Sequence, residues 1–184
     1  AKWKTFADLI ADAKTTELKA GITGFGSPDE IHINQMNQKA GTKFRVVPFA
    51  SPGERYSSIL GGHADVLVEQ AGDIKSFLQS KQMRPIVFFS DEPQTGYEDI
   101  PLAKASGFTI AIDQWRSMIM RAGTDPKHLA IMTAAVQKVT KSEDFKKYLA
   151  DEMAFTKSFL PADKTAAFFE HELNTIKSSL PATK

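Results

Sequence analysis

The residues best suited to chemistry form one run, Thr23-Gly24-Phe25-Gly26-Ser27-Pro28-Asp29-Glu30. Gly24 and Gly26 permit a tight turn, Ser27 can cap a helix, Pro28 suits its first position, and two acids follow. Such a turn leaves backbone N–H groups without intrahelical partners at the positive end of a helix dipole. Its natural guest is a small anion, a carboxylate or a phosphate. The same residues also make an ordinary strand-to-helix connection with nothing bound. No Gly-Lys-Ser/Thr follows, so this is not a Walker A loop, and Asp29 stands where a dinucleotide fingerprint needs its third glycine. A nucleotide is therefore disfavoured.

A second candidate is Phe49-Ala50-Ser51-Pro52-Gly53, a partial match to the nucleophile elbow with Phe49 in place of its first glycine. Ser27 or Ser51 could then serve a small hydrolase or transferase, which would need a general base within hydrogen-bond reach. His32, His63, His128 and His171 are scattered without metal-ligand spacing, and Glu170-His171-Glu172 would diverge on a helix. These residues call for no metal and no cofactor. Glu69 and Gln70 follow an expected strand and either share a rim with the two helix-opening loops or form a solvated strand end. Trp115 either lines a cleft or fills a core.

The elements that must hold these residues are legible in the hydrophobic periodicity. Thr5 and Asp8 form a capping-box-like pair ahead of a helix carrying Phe6, Leu9, Ile10 and Ala13. Leu18–Ile22 reads as a strand, Pro28 to about Lys39 as a helix stopped by Gly41, and Phe44–Phe49 as a second strand. Ser51-Pro52 opens another helix that stops at Gly61-Gly62, and Ala64–Val68 is a third strand. Asp73 caps a short helix ending near Lys81, and Met83–Phe89 makes a fourth strand. This alternation predicts βαβ units around a largely parallel sheet. From Ser90 to Gly107 the pattern lapses into loop chemistry. Phe108–Ile112 and Arg116–Met120 are expected as strands, and Lys127–Val139, Glu143–Glu152 and Thr165–Ser178 as amphipathic helices. No second sheet in the chain is large enough to cover those three helices, and the tail Pro181–Lys184 is expected to fray.

Composition narrows the function classes. The 184 residues are 42% apolar, enough for one good core, and 23 basic residues nearly balance 22 acidic ones. That balance offers no charge excess for a nucleic acid or an anionic membrane surface. The longest apolar runs, such as Ile86–Phe89, are far too short to span a bilayer, and Ala1-Lys2-Trp3-Lys4 does not read as a signal peptide, so any export signal is expected to have been removed. The absence of cysteine excludes thiolate sites and disulfides and is compatible with an oxidising compartment.

Taken together, the motifs resemble the Bug or TctC-like family, the periplasmic solute receptors of tripartite tricarboxylate transporters. The matching blocks are Trp3 with the helix around Asp8-Leu9 and Ala13-Lys14, then Gly21-x-x-Gly24-x-Gly26-Ser27, Val47-Pro48-Phe49 and Leu60-Gly61-Gly62-His63-Ala64-Asp65-Val66. Arg84, Ile100-Pro101, Gly107, Trp115 and Ala122-Gly123-Thr124 follow in the family's order. The resemblance implies a type II periplasmic-binding-protein-like α/β lobe that catalyses nothing and captures a small carboxylate for membrane transporter subunits. By position, Thr23, Gly24, Phe25, Gly26 and Ser27 would line one side of the cleft, with Phe49, Ala50 and Ser51 beside them. Members commonly carry Tyr-Lys-Gly-Gly after the Val-Pro pair, where this chain has Phe49-Ala50-Ser51-Pro52. The loss of that lysine, with Phe25 and Phe49 nearby, implies a ligand less acidic than a tricarboxylate, or more apolar. Residues 1–112 would form the second lobe of a clamshell. Residues 113–184 would be the crossover and helices that pack on a first lobe, and the chain is expected to be a fragment or isolated lobe.

Overall fold

The computed structural model describes residues 2–109, 112, 114–155 and 159–179. Its centre is a three-stranded parallel sheet, β1 (Leu18–Ile22), β2 (Phe44–Pro48) and β3 (Val66–Leu67), in the order β2-β1-β3. Register runs from Leu18 opposite Phe44 to Ile22 opposite Pro48, and Gly21 lies opposite Leu67. The helices are α1 (Phe6–Thr15), α2 (Pro28–Ala40), α3 (Pro52–Leu60), α4 (Lys75–Gln79), α5 (Pro126–Thr140), α6 (Glu143–Asp151) and α7 (Ala162–Ser179).

Strand order reverses at β1. The β1-to-β2 connection runs one way across the sheet and the β2-to-β3 connection returns past β1. Because parallel crossovers are right-handed, α2 and α3 fall on opposite faces. Alternation along β1 agrees. Leu18 and Ala20 enter a core with Phe6, Leu9 and Ala13 of α1 and Ile33 and Met36 of α2, whereas Gly21 meets Arg55 of α3. Trp3, Phe44, Ala103 and Phe108 complete that core, with Phe108 edge-on to Phe6 at 5.6 Å.

Local capping follows the sequence closely. Thr5 and Asp8 form a reciprocal capping box, and Ser27 and Ser51 cap α2 and α3, each followed by proline in the first turn. Gly41 ends α2 in the left-handed conformation at φ 66°.

Three expectations are corrected. Met83–Phe89 is not a strand, and its ladder is a single parallel bridge from Phe88 to Leu102. Pro85 has no N–H to give a ladder, and the Arg84 side chain turns back to the carbonyls of Trp3 and Lys4. Asp73 does not cap α4, which starts after Ile74 without a side-chain cap; instead the Asp73 carboxylate accepts from Gln70 Nε2 at 2.9 Å. Arg116–Met120 joins no ladder among the described residues, and Met118 and Ile119 are 72% and 81% exposed. The Phe108–Ile112 strand falls partly outside the described residues, and of the rest Phe108, Thr109 and Ile112 are not in a strand. The tail at 181–184 also lies outside them.

The C-terminal helices are thinly covered. Helix α7 packs on α2, its Phe168 and Phe169 holding Trp115 at 5.7 and 4.8 Å. Helix α5 has no buried residue. No helix among the described residues is long and apolar enough to cross a membrane.

Candidate functional site

All ten residues singled out from the sequence lie at the carboxyl ends of the three strands. Thr23 to Ser27 follow β1, Phe49 to Ser51 follow β2, and Glu69 and Gln70 follow β3. A parallel sheet whose strand order reverses opens a crevice at this end, between loops that leave toward opposite faces.

The first loop is less bare than the sequence suggests. Asp29 turns its buried carboxylate back to accept from Thr23 N–H at 2.6 Å and from the Thr23 hydroxyl at 2.9 Å. Glu30 accepts from Gly26 N–H at 2.5 Å, and Ser27 N–H donates to Gly24 O at 3.3 Å. The Ser27-x-x-Glu30 spacing carries the signal of a capping box, whose acid takes a nearby N–H; here it takes that of Gly26. Gly24 and Phe25 keep N–H groups with no acceptor among the described residues, and so do Ala50 and Ser51. Phe49 N–H closes onto Ile22 O at 3.0 Å, which fixes the second loop beside the first. Phe25 is 73% exposed and Phe49 half-buried.

The two candidate hydroxyls are spent on structure. Ser27 Oγ donates to Gly24 O at 2.5 Å and accepts from Glu30 N–H at 3.4 Å, while Ser51 Oγ accepts from Glu54 N–H at 3.3 Å. Among the described residues no histidine or carboxylate bonds either one.

Glu69 is neither solvated nor free. Its side chain is 8% exposed and its Oε2 accepts from Arg55 Nη2 at 2.6 Å and Nε at 2.8 Å. Burial raises the Glu69 carboxyl above its ordinary range, outweighing the Arg55 guanidinium that lowers it. Burial and the Glu69 charge likewise push the Tyr56 phenol up. Gln70 Nε2 donates to the Asp73 carboxylate. Asp65 accepts from Lys19 N–H at 2.8 Å before β3 begins, at the opposite end of the strand from Glu69.

Arg55 escaped the sequence reading. No local pattern marked it: with the polar Ser58 it is one of the two buried residues of α3, and its partner lies on another element. Gly21 makes its room, because a Cβ there would stand 3.4 Å from Arg55 Cγ, 3.2 Å from Phe49 Cε2 and 2.6 Å from Leu67 Cδ2. His32 is also buried, its ring 4.5 Å from Phe89 and its Nε2 accepting from Ile112 N–H at 3.4 Å. No group of His, Asp or Glu among the described residues could hold a metal ion. A concavity of about 510 Å³ is lined by Lys138, Val139, Phe145 and Tyr148 of α5 and α6, and by none of the strand-end residues.

The family model described as the tripartite tricarboxylate transporter family receptor matches residues 1–180. The chain belongs to that family. Among curated relatives of this receptor chain, a UPF0065 protein of Bordetella bronchiseptica is 25% identical over 133 residues, covering 72% of the chain and 40% of the relative. A UPF0065 protein in the gbd 5' region of Cupriavidus necator is 23% identical, covering 80% and 45%. The chain thus matches less than half the length of these relatives. A TctC solute-binding protein from Polaromonas, without ligand, superposes at TM-score 0.80 and 23% identity over 97% of this chain and 62% of its own. An R. palustris protein with adipate gives 0.80 at 15% identity over 97% and 60%. MatC from Rhodopseudomonas palustris with bound malate gives 0.72 at 18% over 96% and 62%. The receptor fold is therefore that of the periplasmic solute-binding proteins.

Proposed function

We propose that the chain supplies one jaw of a periplasmic receptor that binds a small organic acid and delivers it to a tripartite membrane transporter. One observation carries this reading: in a chain of this receptor family, the N–H groups of Gly24, Phe25, Ala50 and Ser51, on adjacent strand-end loops, meet no acceptor among the described residues. Paired N–H dipoles of that kind suit a carboxylate oxygen, and the adipate and malate held by structural neighbours are ligands of the same class. Thr23, Gly26 and Ser27 shape the first loop, Phe25 and Phe49 supply apolar walls, and Glu69 and Gln70 close the third side. The seryl hydroxyls favour this reading over a hydrolase, since both are committed to helix caps.

Residues 1–112 act in this reading as the ligand-holding lobe, and residues 113–184 as a crossover with helices that pack on a further lobe. The greater length of the relatives and the uncovered surface of α5 support it.

The test is an NMR titration of the isotope-labelled chain with acetate, succinate and citrate up to millimolar concentration. Saturable shifts at the amides of Gly24, Phe25, Ala50 and Ser51 are expected. No shift at those amides with any of the three acids would overturn the proposal.

A further inference from the structure

Arg55 is the sole buried lysine or arginine among the described residues. Both its Nε and Nη2 donate to Glu69 Oε2, so its charge is met inside the protein. The pair is buried directly beneath the candidate site, Arg55 at 3% and Glu69 at 8% side-chain exposure. Arg55 Cγ and Phe49 Cε2 flank one point above Gly21, at 3.4 and 3.2 Å, and the Arg55 backbone N–H donates to Ser51 O at 3.2 Å. On the first loop, Asp29 and Glu30 occupy the N–H groups of Thr23 and Gly26, and the Asp29 charge reaches Glu69. Counted as ionised groups, these residues give three carboxylates to one guanidinium, and the guanidinium is already matched. What the rim offers an incoming acid is N–H dipoles. Those can hold one carboxylate, whereas a second would face uncompensated negative charge and would need a cation of its own.

We propose that Glu69 determines specificity by holding the guanidinium of Arg55, so that the site takes a ligand with a single carboxylate. This rests on the receptor reading above and goes further, because that reading leaves the charge of the ligand open. Arg55 acts through its charge. Neutralising Glu69 leaves an unmatched positive charge beneath the rim, and neutralising Arg55 leaves an unmatched negative one there.

The test compares butyrate with succinate, which share a four-carbon chain and differ in one carboxylate, by NMR titration of the whole chain. The wild-type protein is expected to hold butyrate more tightly. In Glu69→Gln, which keeps the side chain's shape, the ratio of succinate to butyrate affinity should rise about tenfold. In Arg55→Gln it should fall by at least about threefold. The opposite signs separate a charge effect from simple loosening of the loops, which would weaken both acids together. Circular dichroism establishes which variants fold, and either one alone decides the matter. An unchanged ratio in a folded variant, or wild-type preference for succinate, overturns the specificity role and leaves the receptor reading standing. Failure of the wild-type chain to bind either acid overturns the receptor reading and this inference together.

Discussion

Gly72 joins the rim to the C-terminal helices, and replacing it with alanine gives a direct test of that junction. A Cβ built on Gly72 would stand 2.7 Å from the carbonyl carbon and 2.9 Å from the Cα of Glu152, both backbone atoms at the end of α6. Backbone cannot swing aside as a side-chain tip can, so α6 must move. It is held locally by Lys75 to Asp151 at 3.5 Å, Gln94 to Met153 O at 2.9 Å and Arg116 to Glu152 at 3.8 Å. Overpacking of this kind costs about 1–3 kcal/mol. Gly72 is not among the glycines with positive φ, so alanine also stiffens the unfolded chain and returns about 0.4–1 kcal/mol. The net expectation is a loss of up to about 2.6 kcal/mol, or up to about 10 °C in Tm for a chain of this size. Gly24→Ala is the control: nothing lies within 4 Å of its Cβ position and its φ is not positive, so it should gain about 0.4–1 kcal/mol. Thermal and urea unfolding measure both. A Gly72→Ala variant as stable as Gly24→Ala would refute the steric reasoning.

Two further expectations concern caps and acids. Ser27→Ala and Ser51→Ala should each cost about 1 kcal/mol in urea unfolding through loss of the cap to Glu30 and Glu54 N–H, with the larger effect at Ser27, whose hydroxyl also binds Gly24 O. The N–H groups of Thr5 and Lys4 hold the Asp8 carboxyl below its ordinary value, so its stabilisation is full above the unfolded pKa and is lost as pH falls through the lower folded value. Burial holds Glu69 above its ordinary value, so its contribution runs the other way, full below the unfolded pKa and lost as pH rises through the raised one. Urea midpoints between pH 3 and 7 should therefore show a shallower acid limb in Asp8→Asn. If that variant tracks the wild type below pH 4, the Asp8 account fails.

Local chemistry was the legible part of this sequence. Thr5 with Asp8, Ser27-Pro28 and Ser51-Pro52 each satisfy a backbone group within four residues, so pattern and structure must agree. Placing the candidate loops at one sheet end also followed from pattern, because parallel strands put every strand-to-helix loop on the same side. Pairings across the fold were hidden. Arg55 reaches Glu69 from a different element, and the Asp29 and Glu30 carboxylates compete for the amides that their own helix start appeared to leave open. The fourth strand failed for a similar reason: Ile86, Val87 and Phe89 have strand-like side chains and do pack against the core, but Pro85 and the turn-back of Arg84 deny them a ladder. Apolar alternation reports burial, and pairing needs a donor as well.

Helix α5 covers fifteen residues with none of them buried, and only Thr133, Val136 and Thr140 are half-covered along one stripe. A helix of that length with so little packing depends on its own propensity, and in water that is marginal. Its amides should exchange with deuterium close to the rate of a free peptide, while those of β1, paired on both sides, should be slow. The helix is thus a built-in gauge: whatever body comes to rest on Leu129, Ile131 and Val139 will announce itself as protection at α5, before any change reaches the sheet.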